Sequence, residues 1–392
     1  MSKAQKIYVG GWFQRTTLHL SEIYDFLESA ASPLELDKEK LKALRNAMDI
    51  ATVRMEVSRL DWIDVKSKTG VEIKIYEDGL VVLSKENTNT LSEDIKALTS
   101  YYEEKLSPGI SYIFSLGAPI PKELANIKTI YPYFVVLKKA AQKDIKEIFA
   151  AFNEKEYFDV RKKEFEIYRG DKLYVINNIS ESMENVECFI NEQIFIREFK
   201  AQLHRYLNLH RIIWERIAEV KEKGSIRGKE VGAFKEKIES YAKTINLIEA
   251  RINQMGTYLK TRGTIIKDNR DLEKFLGVLE FKHETLADTL EYIKDIWGMT
   301  KNYVQSALDL FGSIQAKSTE SSVKNLAIIT SMGVGATLIS LFTQKPPSFT
   351  MVGALYFLIL AAIGYATDKT MKTIYSRRMY AIRDAKVAKD IA

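Results

Sequence analysis

The sequence predicts a mixed α/β (α+β) N-terminal domain over residues 1–185. A coiled-coil-like helical stalk follows over 186–324, then a two-helix transmembrane hairpin over 325–367 and a basic tail over 368–392. Three observations carry this expectation. Short runs rich in Val, Ile, Tyr and Trp fill the first part, with Asp78-Gly79 between two of them. From Leu276 to Ile314 apolar residues recur at steps of three and four. Between Asn325 and Thr367 the only charged residue is Lys345, in a chain that is 28% charged overall.

In the first domain, Lys6 to Phe13, Ala51 to Ser58, Val71 to Glu77 and Gly79 to Lys85 have strand composition. Asp78-Gly79 lies inside VEIKIYEDGLVVLSK, and both residues tolerate positive φ, so a hairpin is expected there. Leu18 to Ala30, Ser92 to Lys105 and Ala141 to Asn153 carry the helical repeat, and Ile127 to Lys138 and Lys172 to Asn177 read as further strands. The aromatic residues Trp12, Phe13, Trp62, Tyr101, Tyr102, Tyr131, Tyr133 and Tyr174 are expected in the core and on strand surfaces; the other use for such rings is to stack on a planar ligand.

From about Asn191 the chain becomes long, charged and helical, with interruptions expected near Lys223-Gly224 and near Gly263 to Asn269. The last helix starts near Arg270. Its stripe comprises Leu276, Leu279, His283, Leu286, Leu290, Ile293, Trp297, Thr300, Val304, Ala307, Phe311 and Ile314, a coiled-coil seam. Nothing in it forbids continuation to Thr343, a rod of roughly 110 Å at 1.5 Å per residue. Asp288, Glu291 and Asp295 read as its solvated face, with a regulatory cation between subunits as the other reading.

Residues 325–343 and 349–367 are each close to the ~20 residues that cross a ~30 Å hydrocarbon core. Only Gln344-Lys345-Pro346-Pro347-Ser348 joins them, so an antiparallel pair is expected, with both flanks on one side. In the tail, Lys369, Lys372, Arg377, Arg378, Arg383, Lys386 and Lys389 outnumber Asp368, Asp384 and Asp390. Beside a bilayer this is a positive-inside signal and a contact for anionic lipid heads.

Other functions find little support. Cys188 is the single cysteine, so no intrachain disulfide is available, and a reducing cytoplasmic compartment is expected for the body and both termini. MSKAQKIYVGGWF is too short in its apolar run for a signal peptide. His19, His204, His210 and His283 are scattered, without metal-ligand spacing, and His283 falls on the seam as a packed imidazole. Gly10-Gly11 lacks the rest of a dinucleotide or phosphate-loop fingerprint. No catalytic set is present, so the chain is not expected to be an enzyme. The net charge of +6 lacks the aromatic platform that nucleic-acid binding uses.

The segment YVQSALDLFGSIQAKSTESSVKNLAIITSMGVGATLISLF, with an α/β domain before it and a second apolar helix after it, resembles the CorA superfamily of cation channels at its stalk-to-membrane junction. That resemblance implies a homopentamer in an inner cell membrane, with the first membrane helix of each subunit lining an axial pore. Aligned through Val323-Lys324, the pore face would comprise Asp309, Glu320, Val323, Leu326, Val334, Thr337 and Leu341. The two carboxylates would ring the inner mouth, and Val323, Leu326, Val334 and Leu341 would form an apolar neck that stops conduction by dewetting. Gly333, Gly335 and Ala336 read as close helix contacts. The family's Gly-Met-Asn signature is absent, with Gln344-Lys345-Pro346 in its place. A ring of Lys345 at the outer mouth would oppose cation capture, against a selective magnesium transporter.

Three functions follow as expectations. The first is a channel resembling the CorA-like membrane effectors of type III CRISPR systems, opened by a small nucleotide ligand in antiviral defence. The second is a divergent Mg/Co/Zn-type metal-ion transporter sensed by a divalent cation, and the third a membrane-tethered coiled-coil scaffold. The lipid bilayer and further copies of the chain are the expected partners.

Overall fold

The computed structural model describes residues 4–13, 19–88, 90–113, 130–222, 225–268, 273–342 and 351–381. The chain forms two compact units, Met1–Leu207 with Leu247–Asp295, and Asn208–Asn246 with Ile296–Ala392.

The first unit is built on a nine-stranded sheet. Its strands are β1 (Ala4–Trp12), β2 (Ile50–Glu56), β3 (Trp62–Ser67), β4 (Val71–Tyr76), β5 (Leu80–Glu86), β6 (Tyr133–Lys138), β7 (Phe158–Arg161), β8 (Phe165–Arg169) and β9 (Leu173–Asn178). Their spatial order is β2-β3-β4-β5-β1-β6-β9-β8-β7. β6 and β9 pair in parallel, joined by a connection that passes through helix α5 and the β7–β8 hairpin, and the other neighbours are antiparallel. The expected hairpin is present: Gly79 sits at φ +92° between β4 and β5, and a Cβ there would lie 1.9 Å from the Phe13 carbonyl oxygen. Glycine is therefore required by both conformation and space.

Alternation along β1 sends side chains to two different layers. Ile7 and Val9 enter a core beneath five helices: α1 (Leu20–Ser29), α2 (Lys38–Ala47), α3 (Leu91–Ser100), α4 (Ser107–Ile113) and α5 (Gln142–Ala151). Tyr8, Gly10 and Trp12 face the long helix α6 (Met183–Glu222). Tyr8 Oη donates to Glu187 at 2.8 Å, and Trp12 packs on Phe195 and Phe199. A Cβ on Gly10 would meet the Val81 carbonyl at 2.5 Å and Ile194 at 3.1 Å, so this glycine lets α6 lie close on the sheet. Gly10 is thus a packing residue.

Thr90 starts α3 with reciprocal bonds: its hydroxyl accepts from Glu93 N–H and its own N–H donates to the Glu93 carboxylate. Between α3 and α4 lies a π-helical stretch, Tyr101–Leu106, which ends two residues before Pro108. Proline lacks the N–H and crowds the preceding turn, and the wider turn accommodates it. The expected rings are mostly core: Trp12, Phe13, Tyr101, Tyr102, Tyr133 and Tyr174 are buried, whereas Tyr131 is exposed.

Helix α7 (Gly228–Asp268) runs through Gly263 and ends at Asp268, within the stretch where an interruption is expected; residues 269–272 that follow, like Lys223-Gly224 where the other interruption is expected, lie outside the described residues. Helix α8 is a single 70-residue helix, Glu273–Phe342. Its stripe is buried within the single chain, as Leu286, Leu290 and Ile293 in the first unit and Trp297, Val304, Ala307, Phe311 and Ile314 in the second. The seam is thus filled by the chain's own helices, because the flanking stretches of α6 and α7 supply enough apolar surface. The side chains of Leu276 and Leu279 lie outside the described residues.

In the second unit, Trp214 stacks on Tyr303 at 4.8 Å between ring centroids, His210 Nε2 bonds the Thr300 hydroxyl at 2.7 Å, and Lys235 donates to Gln315 at 3.0 Å. Helix α9 is Met351–Arg377, so part of the basic tail is helical. After it, β11 (Met379–Ala381) pairs antiparallel with β10 (Ser225–Arg227), the strand between α6 and α7. Residues 343–350, where the expected reversal falls, lie outside the described residues. Among the described residues, no helix is long and apolar enough to cross a membrane.

Candidate functional site

The seven residues assigned to a pore face all fall on α8. At about 100° per residue their positions span roughly one third of its circumference. Asp309 is exposed and accepts a hydrogen bond from Gln305 at 3.0 Å. Val334 is 54% exposed. The exposed Thr337 hydroxyl donates to the Gly333 carbonyl of its own helix at 2.9 Å, which leaves its oxygen lone pairs free. The side chains of Glu320, Val323, Leu326 and Leu341 lie outside the described residues, as do Gln344 and Lys345 altogether. Asp288, Glu291 and Asp295 are exposed, and Glu291 pairs with Lys294 at 3.2 Å.

A second constellation, in the first unit, was not anticipated. Arg262 of α7 is buried and forms a fork with Asp78: Nη2 reaches Oδ1 at 3.0 Å, and Nε bonds Oδ2. Its Nη1 bonds Glu192 of α6 at 2.5 Å. The guanidinium lies over Phe195, 4.5 Å from the ring centroid, and over Tyr76 at 5.4 Å. Asp78 also holds the hairpin, since its Oδ1 accepts from Leu80 N–H and its carbonyl from Trp12 Nε1 at 2.8 Å. His283 of α8 stacks on Phe195, with Nε2 3.6 Å from Glu192 Oε2, beyond hydrogen-bond reach. Two carboxylates thus face one guanidinium, with an imidazole beside them.

Burial alone would raise the Glu192 carboxyl, but the charge of Arg262, with His283 adding, holds it below its ordinary value. Burial opposes the charge on Arg262, and Asp78 and Glu192 overcome it and raise its pKa. Burial, then Glu192, pushes the Cys188 thiol up to about 12, so the single cysteine is a protonated packing residue at neutral pH.

Against this network lies a cavity of about 410 Å³ between α7 and α8. Gly256, Leu259, Gly263, Ile266, Ala287 and Leu290 give it apolar walls. Lys260, Lys267 and Lys294, with Glu284, Glu291 and His283, supply its polar groups. Among the described residues, neither ring nitrogen of His283 has a hydrogen-bond partner, nor does Glu192 Oε2. The sequence signal for the cavity was the Gly256/Gly263 pair, two turns apart on one face of a helix. The ion network had none, because Asp78, Glu192, Arg262 and His283 are far apart in the chain. Among the described residues, no group of three or more His, Cys, Asp or Glu has the arrangement to hold a metal ion.

The chain therefore defines a class: a mixed α/β sheet domain continued by long helices, with a buried ion network where they meet the sheet. No family model and no curated protein matches it. Among solved structures, it is similar to the CorA magnesium transporter from Methanocaldococcus jannaschii at 10% identity and a TM-score of 0.27, over 64% of this chain and 91% of that one. The soluble domain of the same transporter gives 9% identity and 0.18, over 45% and 89%. Neither likeness is close enough to carry an assignment.

Proposed function

We propose that the chain is a CorA-like, homo-oligomeric membrane channel, with α8 as its pore helix and the large N-terminal part as its control element. The observation that supports this best is the matched length of two helical arms. Gln315 is tied to Lys235 of α7, and beyond it α8 continues to Phe342 for the same length as the 27-residue α9. After α9 the chain is back at β10, beside the start of α7. Each arm holds most of one of the two uncharged runs, 325–342 and 351–367, and Leu355, Leu358, Ile359 and Ile363 along α9 are exposed apolar side chains in need of cover. Lipid and neighbouring copies are the cover proposed, in a cell membrane with both termini inside.

Val334→Asn on the proposed pore face tests this. In lipid vesicles it should raise the resting ion leak several-fold, by wetting an apolar neck. An unchanged leak, or purified protein that never conducts while still oligomerising, leaves the tethered scaffold as the surviving reading. Five-fold symmetry viewed down the particle axis is the expected oligomer.

The trigger divides the proposal into two versions. If the protein is a nucleotide-gated antiviral effector, genes for a type III CRISPR polymerase subunit stand beside its own. If it is a divalent metal-ion transporter, it rescues a magnesium-dependent strain. The absent Gly-Met-Asn signature favours the former.

A further inference from the structure

The cavity between α7 and α8 combines three features that packing alone does not call for. Its wall is opened by two glycines: a Cβ on Gly263 would meet nothing within 4 Å, and one on Gly256 only Leu290 and the Lys294 side chain at 3.5 Å or more. Glycine in mid-helix costs stability relative to alanine, yet here both positions leave space. The second feature is charge, since three ammonium groups line the cavity against the two carboxylates of Glu284 and Glu291. The third is His283, only 11% exposed, which makes no hydrogen bond among the described residues: Nε2 lies 3.6 Å from Glu192 Oε2, in ion-pair range only, and Nδ1 has no hydrogen-bond partner. A buried polar group without a partner is costly, and a bound molecule would supply one.

We infer that this cavity is a binding site for a small anion with an apolar body: a phosphate or carboxylate carried on a ring or short aliphatic group. The apolar body would lie along Leu259, Ile266, Ala287 and Leu290. The anionic end would take hydrogen bonds from His283 and ammonium groups of the rim. The volume is within the ordinary range for small-molecule sites, roughly 300–1,000 Å³. The site stands whether or not the chain conducts. Because His283 borders both the cavity and Glu192, an occupant would touch the network that fixes α6, α7 and the β4–β5 hairpin to one another.

Isothermal titration of the full-length, detergent-solubilised protein tests this with phenyl phosphate as probe. Inorganic phosphate provides the anion alone and benzyl alcohol the apolar body alone. Saturable binding of one phenyl phosphate per chain is expected, at least about tenfold tighter than either fragment. Gly263→Leu should fill the cavity and abolish binding, whereas Gly232→Leu, elsewhere on α7 and equally open around its Cβ, should not. His283→Phe keeps the stack on Phe195 and removes only the nitrogens, and should weaken binding about tenfold. Circular dichroism confirms that each variant is folded. Absent binding, binding equalled by either fragment, or binding that survives Gly263→Leu each overturns the assignment.

Discussion

Replacing Arg262 with Met keeps the length and apolar stem of the side chain and removes the one positive charge that faces both Asp78 and Glu192. Removing one partner of a buried ion pair typically costs about 3–5 kcal/mol, because the group left behind is charged and dry. Two carboxylates are left here, both nearly inaccessible, so the upper part of that range is expected at neutral pH. For a unit of this size that is a drop of about 8–20 °C in midpoint. The Trp12 indole, bonded to the Asp78 carbonyl, gives a local fluorescence readout.

The pH dependence tests the mechanism. In the native protein Glu192 is held below its ordinary pKa, so its contribution is present above about pH 4.3 and is lost as the pH falls below it. In Arg262→Met, burial without the guanidinium raises the same carboxyl. Its cost is then greatest at neutral pH and shrinks on acidification. The gap between native and variant should therefore narrow by more than about 1 kcal/mol from pH 7 to pH 5. Adding Asp78→Asn and Glu192→Gln should restore much of the loss, since an intact buried network is often worth little more than a neutral one. A variant within about 1 kcal/mol of native at pH 7, or a deficit unchanged at pH 5, refutes the reasoning.

Glu187 is the second electrostatic fixture. Burial would raise it, but Lys74 and Lys6, with Tyr8 donating, hold it at about 2. Glu187→Gln should lose up to about 3 kcal/mol above pH 5, and the difference from native should vanish as acid titrates the native carboxylate towards pH 2; a constant difference contradicts this. The glycines divide by what surrounds them. Gly263→Ala should raise stability by about 0.5–1 kcal/mol by helix propensity alone, whereas Gly79→Ala should lower it by more than that, through positive φ and collision with the Phe13 carbonyl; thermal melts that reverse the order refute the assignment.

Where the chain's own short-range chemistry decides the structure, the sequence was readable. Asp78-Gly79 needs only its two residues to turn, and the stripe from Leu286 to Ile314 needs only helical spacing, and both are present. What that stripe packs against was less visible, since a heptad seam looks the same whether its partner is another subunit or a helix eighty residues away. β3, β7, β8, α2 and α4 were not anticipated: β3, β8 and α4 are short, α2 buries only Leu41, and β7 is a short edge strand with little to bury. The ion network was invisible for a different reason. Asp78 already had a sufficient local explanation as a turn residue, and nothing near it in sequence marks Arg262 as its partner.

The topology of the C-terminal arms rests on a pair of strands of three residues each, which makes it easy to break and easy to test. In the β10–β11 ribbon Arg227 faces Met379, and both side chains are exposed. Opposed residues of antiparallel strands have Cα atoms between roughly 4.5 and 5.5 Å apart, within the range a disulfide spans. Arg227→Cys with Met379→Cys, in a Cys188→Ser background, should therefore close an intrachain bond under mild oxidation of the full-length protein reconstituted in lipid vesicles. Cleavage of the chain between the two positions would leave the fragments joined until reductant is added. The two halves of the ribbon are in contact only if α9 returns to the side from which α8 departs. A chain whose second apolar helix ended on the far face of the bilayer would hold the two cysteines a membrane thickness apart, and no oxidant would join them within one subunit. Fragments that separate without reductant would remove the antiparallel pair, and with it the reason for placing both termini on one side.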